Sequence, residues 1–108
     1  MTTPDPSWTP LWNTPPFPSY ASGHSTFSGT ASTILASIFG PNIQFTNGSD
    51  DMPGYSRTFN GFGDAANEAG GSRVVGGIHF AFDNTDGLAA GGEIGSYVAE
   101  NFLLPPGK

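Results

Sequence analysis

Two short stretches of this chain carry the side chains that could do chemistry. The first is Pro15-Pro16-Phe17-Pro18-Ser19-Tyr20-Ala21-Ser22-Gly23-His24-Ser25, where a rigid proline run opens directly into a helical pattern. A serine hydroxyl, an imidazole and three uncapped backbone N–H groups are therefore expected at one helix N-terminus. Free N–H groups and the helix dipole both favour negative charge, which makes this a ready anion site. Alone, Ser-Gly-His is a weak signal. The second stretch, Ser72-Arg73 with His79-Phe80-Ala81-Phe82-Asp83 shortly after it, adds an arginine, a second histidine and a carboxylate.

Together the two stretches describe an oxyanion pocket. Arg73 offers a planar fork that keeps its charge, while Ser22 and the Gly23 N–H would bind equatorial oxygens. His24 and His79 would face each other along the axis of attack, one bonding the central atom and the other handling a proton. Asp83, four residues after His79, would sit beside it on an early helical turn and fix the imidazole tautomer. Each residue also has a plain structural reading. His24 suits a cap or a surface position, Arg73 suits the last turn of a helix, and His79 suits a satisfied half-buried histidine. Against coincidence stands the fact that these are both histidines of the chain and one of its two arginines.

The elements that must position them read as three helices. The first spans about Ser22 to Phe39 and is stopped by Gly40-Pro41, with Phe27, Ala31, Ile34, Leu35 and Ile38 as one core-facing stripe. A second runs from an N-cap near Asn60 to about Val75 and ends at Gly76-Gly77, with Gly70-Gly71 weakening it or allowing close backbone approach. A third starts between Phe82 and Asp86 and runs to Phe102, with Leu88, Ile94, Val98 and Phe102 inward and Pro105-Pro106 as its stop. Gly87, Gly91, Gly92 and Gly95 along it predict close helix–helix contact. Residues 1–21 form a proline-rich extended arm whose Trp8, Leu11, Trp12 and Phe17 need a surface to cover. Residues 40–60 read as loop, extended at Ile43, Phe45 and Tyr55 to Phe59 around a turn cluster in which Asp50-Asp51 is solvated and lacks the alternating ligands of a calcium loop. The expectation is a single all-α domain over residues 1–108, a partial bundle with an arm over 1–21 and helices over 22–104.

Composition narrows the partners. Nine acidic residues against three basic ones give net −6, which argues against nucleic acid and anionic membranes. Cysteine is absent, so disulfides and thiolate metal sites are excluded. No run is long and apolar enough to span a bilayer. The start, Met-Thr-Thr-Pro-Asp-Pro, shows neither a basic n-region nor an apolar h-region, and the expectation is a soluble segment of a longer protein, periplasmic or secreted where a signal lies upstream.

Pro-Ser-Tyr-Ala-Ser22-Gly23-His24, followed by Ser72-Arg73-x5-His79-x3-Asp83, resembles the second and third signature motifs of the vanadium-dependent haloperoxidase and type 2 phosphatidic acid phosphatase superfamily. The likeness runs from about Trp8 to Phe102 and takes in Glu68 ahead of the Ser-Arg pair. It implies half of a haloperoxidase-like helical bundle. By that resemblance Arg73, Ser22 and Gly23 bind oxyanion oxygens, His24 is the acid–base histidine and His79 is the ligand to vanadium, or the nucleophile in the phosphatases. Phe17, seven residues before His24, resembles the chloroperoxidase branch at the halide pocket, where bromoperoxidases tend to carry histidine. The family's first motif, a Lys followed several residues on by Arg-Pro, has no counterpart before His24, and Arg57 sits in the wrong segment.

The resemblance implies an oxidoreductase in the complete protein, with vanadate as cofactor and hydrogen peroxide and halide, or a small organic molecule, as substrates. This chain alone is expected to be inactive. Trigonal-bipyramidal vanadate resembles the phosphoryl-transfer transition state, so a soluble acid phosphatase with a phosphohistidine is the alternative, with phosphate as substrate. A third reading is an inactive half-domain that self-associates or pairs with a missing N-terminal half.

Overall fold

The computed structural model describes residues 3–102, 104, 105 and 107. Met1, Pro106 and Lys108 lie outside the described residues, and with them part of the expected stop after the third helix. The order is α1 (Gly23–Phe39), β1 (Phe45–Ser49), β2 (Met52–Phe59), α2 (Phe62–Val75) and α3 (Ala81–Asn101). No helix among the described residues is long and apolar enough to cross a membrane.

Each helix boundary has a local cause. Ser22 caps α1 by accepting the Ser25 N–H on its side chain, and Gly40, at φ 93°, turns the chain out after Phe39. Asn60 is not the cap of α2. Its carboxamide oxygen accepts from Gln44 Nε2 at 3.2 Å, and Gly61 takes the cap position because a Cβ there would lie 2.3 Å from the Pro41 carbonyl oxygen. α3 starts at Ala81, earlier than expected, because Asp83 at its third position reaches back to the Phe80 N–H at 3.0 Å.

Residues 45–59 form a two-stranded antiparallel hairpin rather than a loop, with Phe45 opposite Phe59, Thr46 opposite Thr58 and Asn47 opposite Arg57. An aromatic cluster ties it to the helices: Phe62 stacks on Phe45 at 5.3 Å and lies 6.5 Å from Phe39. Arg57, in this hairpin, pairs with Glu68 of α2 at 2.5 Å, away from the two histidines.

The helices meet through small residues. α1 packs most extensively on α3 and next on α2. Along the α1–α3 seam a Cβ at Gly91 would lie 2.3 Å from the Thr26 carbonyl oxygen, one at Gly29 2.8 Å from that of Leu88, and one at Gly95 2.8 Å from that of Thr30. Gly92 is not part of the seam, with only Thr33 Oγ1 within reach at 3.8 Å. The apolar stripe of α1 does not face this core. Phe27 is 80% exposed, and Leu35 and Ile38 are exposed as well, because Ser22, Ser25, Thr26 and Gly29 occupy the face turned to α3. On α3 the expected inward residues Ile94 and Phe102 are likewise exposed. Ala66 is the buried hydrophobic residue among those described.

Candidate functional site

The extended segment before α1 crosses the start of α3, with the Ser22 N–H donating to the Asp83 carbonyl at 3.1 Å. This bond, with the packing of α1 on α3, brings the two chemical stretches together. Behind it, the turn after α2 carries His79 to the same end of the bundle, held where the Ile78 N–H donates to the Arg73 carbonyl at 3.2 Å.

His79 and Asp83 are buried, their side chains 1% and 0% exposed. His79 Nδ1 lies 3.3 Å from Asp83 Oδ2 on the adjacent helical turn, so Asp83 faces His79 and makes no ion pair with Arg73. The same Oδ2 accepts the Phe80 N–H and the Ser19 hydroxyl, and Ser19 Oγ also sits 3.4 Å from His79 Nδ1. Burial alone would push the Asp83 carboxyl up; the hydrogen bonds from Ser19, Phe80 and His79 outweigh it and hold the group below the usual carboxylate range. With Nδ1 engaged, Nε2 of His79 has no partner among the described residues and is the nitrogen open to a ligand.

At the N-terminus of α1 the donor count is smaller than the three N–H groups expected. Ser22 N–H is spent on Asp83 and Ser25 N–H on Ser22 Oγ at 3.3 Å, which leaves Gly23 and His24 unpartnered among the described residues. Ser22 itself is fully buried, with its hydroxyl 2.9 Å from that of Ser25, which lies 2.7 Å from Asn84 Oδ1. Ser25 has one hydroxyl hydrogen and the Asn84 oxygen has none, so a consistent chain runs from Ser22 to Ser25 to Asn84. In this structure the Ser22 hydroxyl therefore joins α1 to α3 rather than pointing outward.

Arg73 lies at the end of α2 with its guanidinium carbon 4.5 Å over the Trp12 ring. Its Nε is buried and has no hydrogen-bond acceptor among the described residues. A buried donor without an acceptor is costly, and here it belongs to a cationic group. His24 is exposed, and its pKa is lowered first by partial desolvation and then by the nearby charges of Arg73 and His79. Arg73 and His79 are thus close enough to act on His24. Phe17 is exposed on the arm. A groove of about 450 Å³ lies elsewhere, between α1, α2 and the hairpin, and is lined by Leu35, Phe45, Phe59, Phe62 and Glu68.

Sequence reasoning missed Trp12 as the support of Arg73 and Ser19 as a partner of Asp83. Neither has a local signal, because each meets its partner more than 60 residues along the chain.

The profile of the VCPO second helical-bundle domain matches residues 1–104. This chain belongs to the vanadium haloperoxidase family. A solved structure described as the first bacterial vanadium-dependent iodoperoxidase superposes on this haloperoxidase segment with a TM-score of 0.82 and 42% sequence identity. The alignment covers 87% of this chain and 23% of that one. No curated protein matches the chain. The mostly helical architecture agrees with a helical-bundle domain.

Proposed function

We propose that this segment supplies the vanadate-binding half of an enzyme that oxidises halide with hydrogen peroxide. The observation that carries the reading is the buried, acceptor-less Nε of Arg73 at the same end of the bundle as His79, whose Nε2 is open. An oxyanion is the ligand that satisfies both, and the residues fit it: one aromatic nitrogen, one guanidinium and the free N–H groups of Gly23 and His24. His79 Nε2 would hold the vanadium, Arg73 and Gly23 the oxygens. Bound vanadate would supply the Lewis-acidic centre that makes peroxide electrophilic.

In the net reaction halide gives up two electrons, the peroxide O–O bond accepts them, and hypohalous acid and water form with uptake of one proton. His24 is the group of this chain suited to move that proton. Its lowered pKa keeps it neutral near pH 7, so it can take a proton from incoming peroxide and return it to the leaving oxygen. Asp83 orients His79, and Trp12 holds Arg73 in place. The single-histidine ligand set agrees with a held oxyanion rather than a divalent cation, for which no cluster of three ligands exists among the described residues.

The test is vanadate titration and peroxide-dependent halide oxidation in the full-length gene product. Loss of vanadate binding in His79→Ala together with halide oxidation in the wild type is expected. Phosphomonoester hydrolysis without halide oxidation would overturn the peroxidase reading.

A further inference from the structure

Ser19 stands in the extended segment between the proline run and α1, and nothing in the composition of that segment marks it out. The crossing of this segment over α3 lays its hydroxyl on Asp83 Oδ2, with His79 Nδ1 3.4 Å away. Oδ2 thus has three neighbours, the Ser19 hydroxyl, the Phe80 N–H and His79 Nδ1, while Oδ1 is buried without a partner.

Proton counting decides what this arrangement does. An ionised carboxylate only accepts, so every neighbour of Oδ2 must bring a hydrogen. Ser19 has one hydroxyl hydrogen and gives it to Asp83, so it has none for His79. If Nδ1 carried no proton, its lone pair would face both a carboxylate oxygen and the Ser19 oxygen lone pairs. That repulsion is removed only when Nδ1 bears the hydrogen, and Nε2 then keeps its lone pair. Without Ser19, the Phe80 N–H alone would be left to hold Oδ2 against the ring, and the carboxylate could more readily turn its unpartnered Oδ1 toward it.

We propose that Ser19 is a positioning residue: by binding Asp83 Oδ2 it fixes the carboxylate against His79 and selects the Nδ1–H tautomer that leaves Nε2 free for a ligand. The inference rests on the reading of His79 as the residue that binds the oxyanion. It adds a residue from the arm, which thereby has a role at the site beyond covering surface.

The experiment combines ¹⁵N NMR of the histidine rings with vanadate titration of the full-length protein, in wild type, Ser19→Ala, Ser19→Thr and Ser19→Val. In the wild type His79 should show a protonated Nδ1 and an unprotonated Nε2. Ser19→Ala should mix the two tautomers and weaken vanadate binding about tenfold or more, as loss of a supporting partner does at other ligand histidines. Thr keeps the hydroxyl and should restore both readings, whereas the isosteric Val should not, and this pair carries the comparison if Ala fails to fold. A wild-type His79 protonated on Nε2 overturns the proposal without any variant. So does a Ser19→Val protein with unchanged ring shifts and affinity, because a residue that only props up the arm would move stability and not the tautomer. A wild type that binds no vanadate, yet whose His79 tautomer responds to Ser19, would sink the proposed function and leave the positioning role standing.

Discussion

A single oxygen, Asp83 Oδ2, meets a hydroxyl from the arm, the N–H that starts α3 and the imidazole of His79. The carboxyl is held below its usual range, so the folded state binds the proton less tightly than the unfolded chain does. Stability from this group is therefore present above about pH 3.9, the ordinary aspartate value, and is lost as pH falls through the lower folded value. Asp83→Ala removes the acceptor of all three donors, and leaving buried donors unmet costs on the order of 1–3 kcal/mol. Urea unfolding should show that loss at neutral pH, and the variant should also lose the wild type's extra acid sensitivity. His24 has the opposite chemistry with a shift in the same direction. Desolvation first, then Arg73 and His79, disfavour its charged form. Protonation thus favours the unfolded chain, and any stability linked to His24 is kept above about pH 6.5 and declines as pH falls below it. An NMR titration should place its midpoint under about 6.5, and Arg73→Gln should move it back upward. The six candidate residues could be picked out of the sequence because two histidines and an arginine are all but unavoidable in a chain so poor in charge. Ser19 and Trp12 were not, since a serine and a tryptophan in a proline arm look like turn and surface cover.

The three helices could be read from caps, stops and apolar spacing, and their boundaries fall within a few residues of those expected. Which face is buried could not. A repeat of Phe27, Ala31, Ile34, Leu35 and Ile38 reports that one side of α1 is apolar, and it does not report what covers that side. The actual seam uses glycine and serine, residues whose hydropathy is silent but whose size lets backbones touch. The hairpin escaped notice for a related reason: Pro53 and Gly54 near the start of β2 break the alternation that marks a strand. The seam makes a sharp prediction. Gly91→Ala places a methyl 2.3 Å from a backbone oxygen that cannot yield without moving α1, and overpacking of that kind costs about 1–3 kcal/mol or more. Gly71→Ala on α2 meets nothing within 4 Å and should stabilise by up to about 1 kcal/mol through helix propensity. Thermal melts of the two variants should move in opposite directions. Two shifts of the same sign would mean that the helices are not packed through this seam.

The whole chain is elongated, with a radius of gyration of 16.2 Å where a compact domain of this length has about 13 Å. Its interior is a polar and glycine seam, and its large apolar side chains, Phe27, Ile38, Phe39, Val75 and Phe102 among them, face outward. Such surface is usually covered by another body. The aligned 87% of this chain covers 23% of the iodoperoxidase chain it resembles. The charge balance at the site tells the same story. Of the two arginines, Arg57 is committed to Glu68, and Arg73 lies over Trp12 near enough to His24 to disfavour its charge, within a chain of net −6. The family resemblance calls for a Lys and an Arg-Pro besides, and each hydrogen bond from such a cation to an oxyanion is worth about 1.5–3 kcal/mol. Two such contacts amount to roughly two to four powers of ten in affinity. The 108 residues expressed alone should therefore self-associate in sedimentation, bind vanadate far more weakly than the full-length protein, and show no halide oxidation with peroxide. Adding the flanking polypeptide as a separate chain should dissolve the self-association and restore vanadate binding together, because the same body would cover the apolar faces and bring the missing cations. A monomeric 108-residue chain that binds vanadate at micromolar concentration would mean that Arg73, His79 and the open end of α1 suffice, and that the exposed faces are tolerated as they stand.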